Sequence, residues 1–298
     1  MVLNFNYMKT MGKIISFLNF KGGVGKSTST VNTAKALHDM GYQILVIDAD
    51  AQGNSSKMMG KKLNDNLTET LYEILTKGLD ADEAIYLDQE KEGSFNYIPS
   101  SPKLDNAESD LSSMVGREFI LKNALKPVSD DYDFILIDCA PSSGWVSMNA
   151  MMASDYLIVP LNGEPFAVDG MGKIIQRYKE IKSLKNNFNE DLQILGYVFT
   201  LIRKCGLHDD AKAALATQHE KYGWPGCIFR TEIKQNVCLA ESGAKRTNVF
   251  DYAEMLPDNN FMNRNKKATC LKAADQYKEL AMEILQRVGM KQQIESNE

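Results

Sequence analysis

The 298-residue chain predicts an α/β fold, a doubly wound and mostly parallel sheet with helices on both faces. Three observations point there. Short apolar runs rich in β-branched residues recur along the chain, and most are near-continuous, as in strands covered on both sides. Helical patterns separate them, which implies parallel β-α-β units. A loop with three glycines, KGGVGKST (21–28), follows the first run and opens the first helical segment.

Taken in order, the runs are KIISFLNF (13–20), QILVIDAD (43–50), FNYIPS (95–100), FILIDCAP (134–141), YLIVPL (156–161), ILGYVFTLI (194–202) and CIFRTEI (227–233). STSTVNTAKALHDMG (27–41) reads as a helix that stops at Gly41, since glycine readily takes the left-handed conformation of a helix C-terminus. The lysine- and acid-rich segment 57–92 reads as surface helices. DYAEMLPDNNFMNRN (251–265) reads as a loop into a last helix, on which Leu271, Ala274, Leu280, Ile284 and Val288 share one face. With no internal repeat or low-complexity linker, residues 13–290 are expected to form a single domain. Residues 1–12 then form an N-terminal extension and 291–298 a polar tail.

Composition narrows the function. With 44% hydrophobic and 24% charged residues the chain has ample material for a core. A net charge of −5 does not suit a general polyanion binder, so contact with nucleic acid requires a local basic surface. The five cysteines (139, 205, 227, 238 and 270) contain no C-x-x-C pair, so neither a metal site nor a disulfide framework is expected. Free thiols suit a reducing cytoplasm. The N-terminus lacks the apolar run of a signal peptide, and no stretch approaches the ~20 apolar residues that span a bilayer.

The glycine-rich loop carries the chemistry. Gly22, Gly23 and Gly25 let backbone N–H groups turn inward around phosphate oxygens, and a helix opening near Ser27 directs its positive end at them. Val24 and Thr28 complete the loop. Lys26 is placed to reach the β- and γ-phosphates, and the Ser27 hydroxyl to complete a Mg2+ shell. The first glycine of the ordinary phosphate-loop motif is replaced by Asn19 or Phe20, depending on registration, and Lys21 is a lysine more than that motif needs. LVIDADAQGN (45–54) ends a strand with Asp48 and Asp50 on one face of the extended chain. Ligands of doubly wound sheets sit at the carboxyl ends of strands, so both carboxylates are expected to face the loop. Asp50 is the candidate to orient or deprotonate water, and Asp48 to hold Mg2+ through a water. FILIDCAPSSG (134–144) repeats the scheme with Asp138, in the position of a Walker B aspartate. Cys139 reads as a packing residue, with no histidine nearby in sequence.

KGGVGKST, DADAQGN and DCAPSSG, in this order and spacing, resemble the deviant Walker A ATPases of the ParA/MinD superfamily. VPLNGEPFAVDGM (159–171) and IKQNVCLAESGAKRTNVFDY (233–252) resemble ParA-type segments, so the similarity covers roughly residues 13–288. The resemblance implies that ATP and Mg2+ are the cofactors and that the ATP-bound homodimer is the active state. It also implies that Lys21 contacts the phosphates held by the other subunit, and that hydrolysis is slow until a partner stimulates it. Thr200, Lys234 and Asn236 fall where the family surrounds the adenine. The family's proline and arginine in the tail motif are Lys234 and Gln235 here, and a further basic position is Cys238.

ParA-type partition ATPases bind DNA nonspecifically through basic side chains on the C-terminal side. Here Lys245, Arg246, Arg264, Lys266, Lys267 and Lys272 are the candidates, a local excess that can neutralise phosphates despite the acidic whole. An ordinary solvated helix face is the alternative reading of the same residues. The expected partners are therefore a second copy, nonspecific DNA and a centromere-binding, ParB-like adaptor, with the protein cytoplasmic and associated with the nucleoid. A MinD-like division regulator needs a basic amphipathic C-terminal helix, whereas this chain ends GMKQQIESNE. A biosynthetic ATP-dependent amide ligase of the superfamily is the other enzyme rival.

Overall fold

The computed structural model describes residues 12–60, 67–87, 93–164, 170–188, 190–203 and 207–290. All of the extension but Gly12, and the whole of the polar tail, lie outside these residues. Six strands form one sheet: β1 (Lys13–Phe17), β2 (Ile44–Ala49), β3 (Asn96–Ile98), β4 (Phe134–Cys139), β5 (Tyr156–Asn162) and β6 (Gln193–Thr200). Their order is β3-β2-β4-β1-β5-β6, and every pairing is parallel. The register sets Asp48 opposite Asp138 and Asp138 opposite Phe17, so the carboxyl ends of the three central strands are level.

The continuous apolar runs have the reason the sequence suggested. In β2, Leu45 and Ile47 enter one core while Ile44 and Val46 enter the other; in β4, Ile135 and Ile137 oppose Phe134 and Leu136 in the same way. The first core is covered by α3 (Leu71–Lys77), α4 (Leu104–Ser112), α5 (Ile120–Leu125), α6 (Trp145–Ala153), α7 (Met171–Asn186) and α8 (Leu207–Tyr222). The second is covered by α1 (Lys26–Asp39), α2 (Asn54–Met58), α9 (Val237–Ala244), α10 (Val249–Met255) and α11 (Phe261–Arg287).

Four expectations change. CIFRTEI is not a regular strand. Residues 227, 229 and 233 bond to the outer edge of β6, but the N–H groups of Arg230 and Thr231 donate to the Glu283 carboxylate on α11 instead. Capture of those donors interrupts the ladder. DYAEMLPDNNFMNRN is two helix ends around a short loop: Asn248 caps α10 through Asp251 N–H, and Asn260 caps α11 through Asn263 N–H. In 57–92, α3 buries Leu71, Ile74 and Leu75, so it is a core helix; residues 61–66 and 88–92 lie outside the described set. On α11, Leu271 is 44% exposed, and Cys270, Ala273, Ala274, Tyr277, Leu280 and Ile284 form the buried face.

The cysteine expectation changes as well. Cys238 on α9 and Cys270 on α11 form a disulfide, with Cα atoms 5.3 Å apart and 32 positions between them in sequence. No local spacing could announce that pair. Cys139 is fully buried and its thiol is pushed up to about 12 by desolvation, consistent with packing and not with nucleophilic chemistry.

Candidate nucleotide-binding site

The phosphate loop leaves β1 at the carboxyl edge of the sheet and enters α1. Gly23 (φ 71°) and Gly25 (φ 77°) occupy the left-handed region that favours glycine. Gly25 is the N-cap of α1 and supplies no capping side chain, so the first-turn N–H groups and the positive helix end are left for an anion. A cavity of about 600 Å3 lies against this loop. Gly22, Gly23, Gly25, Lys26, Ser27 and Thr28 line one side, Asp50 and Pro141 the strand ends, and Leu239, Ala240, Gly243 and Ala244 of α9 the far wall. Leu201 and Arg246 complete that wall. They are the two described non-glycine residues with positive φ (55° and 57°), so left-handed backbone is concentrated here.

Two supports hold the loop from beneath. Asn19 donates from Nδ2 to the Pro160 carbonyl (2.8 Å) and accepts from Lys21 N–H (2.9 Å). Thr200 donates from Oγ1 to the Val24 carbonyl (2.7 Å) and is buried. Val24 itself is buried under the loop and does not line the cavity. Thr200 therefore props the phosphate loop.

The three carboxylates differ sharply. Asp50 lines the cavity, with Oδ1 accepting from Gln52 N–H at 3.0 Å. Asp48 is fully buried behind it, and both of its oxygens are taken. Oδ2 accepts from the N–H and the hydroxyl of Ser56 (2.6 Å each), and Oδ1 from Asp50 N–H (3.2 Å). Asp48 is thus tied to Ser56 and to the backbone of Asp50 within the protein. Asp138 is equally buried but half satisfied: Oδ2 accepts from the Ser55 hydroxyl at 2.7 Å, while Oδ1 has no protein partner. Burial raises the proton affinity of both Asp48 and Asp138. For Asp138, Ser27, Ser55 and the Lys26 ammonium pull the other way.

The two lysines part company. Lys26 is 6% exposed, bonds from Nζ to the Lys21 carbonyl (3.1 Å) and lines the cavity; burial lowers its pKa, and Asp138 is the main opposing charge. Lys21 does not line the cavity. Its half-exposed side chain reaches outward to Glu164 at 2.7 Å. A buried unpartnered carboxylate oxygen beside a phosphate loop fits a hydrated divalent cation, and the glycine turns with Lys26 fit a polyphosphate.

The remaining expected residues disperse. Lys234 is exposed and outside the cavity wall, and Asn236 caps α9 while donating to the Thr269 carbonyl (3.1 Å). Neither lines the cavity; the α9 residues and Leu201 do, and apolar spacing on α9 was the available signal. Among the basic candidates, Arg246 belongs to the cavity wall. Lys266 pairs with Glu241 (2.9 Å), Lys267 with Asp258 (3.0 Å), and Arg264 bonds the Asp258 carbonyl (3.2 Å). Lys245 and Lys272 are exposed.

A family model described as an AAA domain matches residues 12–194. The chain is 34% identical over 235 residues to the chromosome partitioning protein ParA of Myxococcus xanthus, covering 78% of each chain. It is also 34% identical to the sporulation initiation inhibitor protein Soj of Bacillus subtilis, covering 78% of this chain and 88% of that one. The chain belongs to the ParA family of ATPases. The chromosome-partitioning ATPase Soj of Treponema pallidum is 33% identical over 94% of this chain and 100% of that one. Among solved structures, a cobyrinic acid a,c-diamide synthase of Mycobacterium smegmatis with ADP and magnesium shares 28% identity, with a TM-score of 0.68 over 79% of this chain and 91% of that one. A Cyanothece McdA variant in complex with ATP shares the fold at a TM-score of 0.75 and 22% identity, over 96% of this chain and all of that one.

Proposed function

We propose that this ParA-family ATPase partitions DNA as a nucleotide switch. In this reading, ATP and Mg2+ assemble a homodimer that binds DNA nonspecifically, and a centromere-binding, ParB-like adaptor triggers otherwise slow hydrolysis. The observation that carries the reading is the separation of the two loop lysines. Lys26 lies in its own cavity, whereas Lys21 stands outside it on the exposed rim. A cation in that position is available to a phosphate group across a dimer interface, where it would act on the transferring phosphoryl as an arginine finger does. The partitioning relatives support the reading over amide ligation, since their identity is higher, 33–34% against 28%. Cytoplasmic placement on the nucleoid follows from the same reading.

In this site the loop N–H groups and Lys26 bind and orient the phosphates, and Asp50 orients the attacking water. Ser27 and Asp138 would hold the magnesium and its water shell. When bound, the ion neutralises charge developing on the β- and γ-oxygens. The test is binding to random-sequence DNA at low salt. Retention that requires ATP and weakens steeply as salt rises is expected; no retention with ATP would sink the partition reading.

A further inference from the structure

We propose that Ser55, Ser56 and Ser100 form a buried positioning relay that sets the acidic strand ends and reserves one Asp138 oxygen for the water shell of magnesium. It rests on the assignment of this cavity to magnesium and ATP, and not on DNA binding. Ser55 and Ser56 are consecutive on the short α2, and both are fully buried. They reach the paired strands β4 and β2: Ser55 Oγ donates to Asp138 Oδ2 (2.7 Å), and Ser56 donates from N and Oγ to Asp48 Oδ2 (2.6 Å each). Ser56 Oγ accepts in turn from Ser100 N–H (2.9 Å), and Ser100 Oγ donates to the Asp50 carbonyl. Serine hydroxyls and the Ser100 N–H thus tie the ends of β2, β3 and β4, where the three acidic side chains lie.

The relay solves an electrostatic problem. Asp48 and Asp138 sit opposite each other in the register with no exposure, so ionising both is costly without donors. Asp48 receives three, so each of its oxygens has a donor. Asp138 receives the Ser55 bond on Oδ2, which fixes the carboxylate and leaves Oδ1 without a protein partner. A donor on one oxygen and a free acceptor on the other are what an outer-shell ligand requires. The charged or titratable groups around Asp138 are Lys26 and Ser27 on α1, Asp48 and Asp50 at the end of β2, and Cys139 on its own strand.

The experiment measures affinity for a fluorescent ATP analogue with and without Mg2+, from pH 6 to pH 8.5, with melting temperature as the check on folding. Ser55→Ala is expected to lose about 10- to 100-fold of the Mg2+-dependent gain near neutral pH. Its affinity without Mg2+ should match wild type. Ser55→Thr, which keeps the hydroxyl, should restore the gain. Ser56→Ala should lose less, because Asp48 keeps two backbone donors. Ser55→Cys keeps the size with a weak donor and decides the matter if the alanine variant does not fold. Equal weakening with and without Mg2+, or wild-type behaviour of Ser55→Ala and Ser55→Cys at every pH, would overturn the relay. A wild-type protein that binds the analogue identically with and without Mg2+ would overturn the magnesium–ATP assignment and the relay with it.

Discussion

The carboxyl edge of the central strands and the face formed by α9, α10 and α11 both carry dense charge, yet they are built on opposite rules. At the strand ends Lys26, Asp48 and Asp138 are buried, and their surroundings are specified to single hydrogen bonds. On the helical face Lys266 and Lys267 are ion-paired at the surface, and Lys245 and Lys272 are exposed. Buried charges fix geometry because any unpartnered group costs several kcal/mol. Exposed ones fix little, since a surface pair contributes about 0–1 kcal/mol. The first region is therefore suited to selecting one ligand in one pose, and the second would meet the proposed DNA in many poses.

Lys26→Ala breaks the first region most severely. Loss of the cation at the transferring phosphoryl group should reduce hydrolysis roughly 10³-fold or more, measured as phosphate release. The next largest effect ties the regions together. The Cys238–Cys270 disulfide joins the cavity wall on α9 to α11 across 32 positions. Reducing it should lower stability by about 3–4 kcal/mol through loop entropy, read from denaturant melts with and without reductant. Identical melts would show that packing alone holds α9. The second region should answer more gently. Lys245→Gln with Lys272→Gln should weaken DNA binding uniformly across sequences and lower the salt slope by about one per lysine. A change confined to one DNA sequence would contradict the many-pose picture.

The sequence made the two regions legible to different depths, for physical reasons. The phosphate loop, Asp50 and Asp138 were readable because a strand end followed by a turn constrains residue type over a few neighbouring positions. The bonds Asp48 accepts from Ser56, in a following helix, were not readable. Thr200 lies 176 positions from the Val24 carbonyl it supports, and nothing local marks that bond. The sheet followed from apolar runs. The loss of CIFRTEI as a strand depended on Glu283, some fifty residues away. Basic residues of the helical face were visible as composition, but composition could not separate Arg246, on the cavity wall, from Lys266 and Lys267 in surface pairs.

Lys21, paired with Glu164 outside the cavity, is the residue on which the proposed dimer turns. Sedimentation of wild type and Lys21→Ala with saturating ATP and Mg2+, beside equilibrium nucleotide binding, tests its role most directly. Wild type should sediment as a dimer that hydrolyses ATP. Lys21→Ala should bind ATP as a monomer with affinity near that of wild type, and either fail to dimerise or fail to hydrolyse. A Lys21→Ala protein that dimerises and hydrolyses ATP at the wild-type rate would contradict the account.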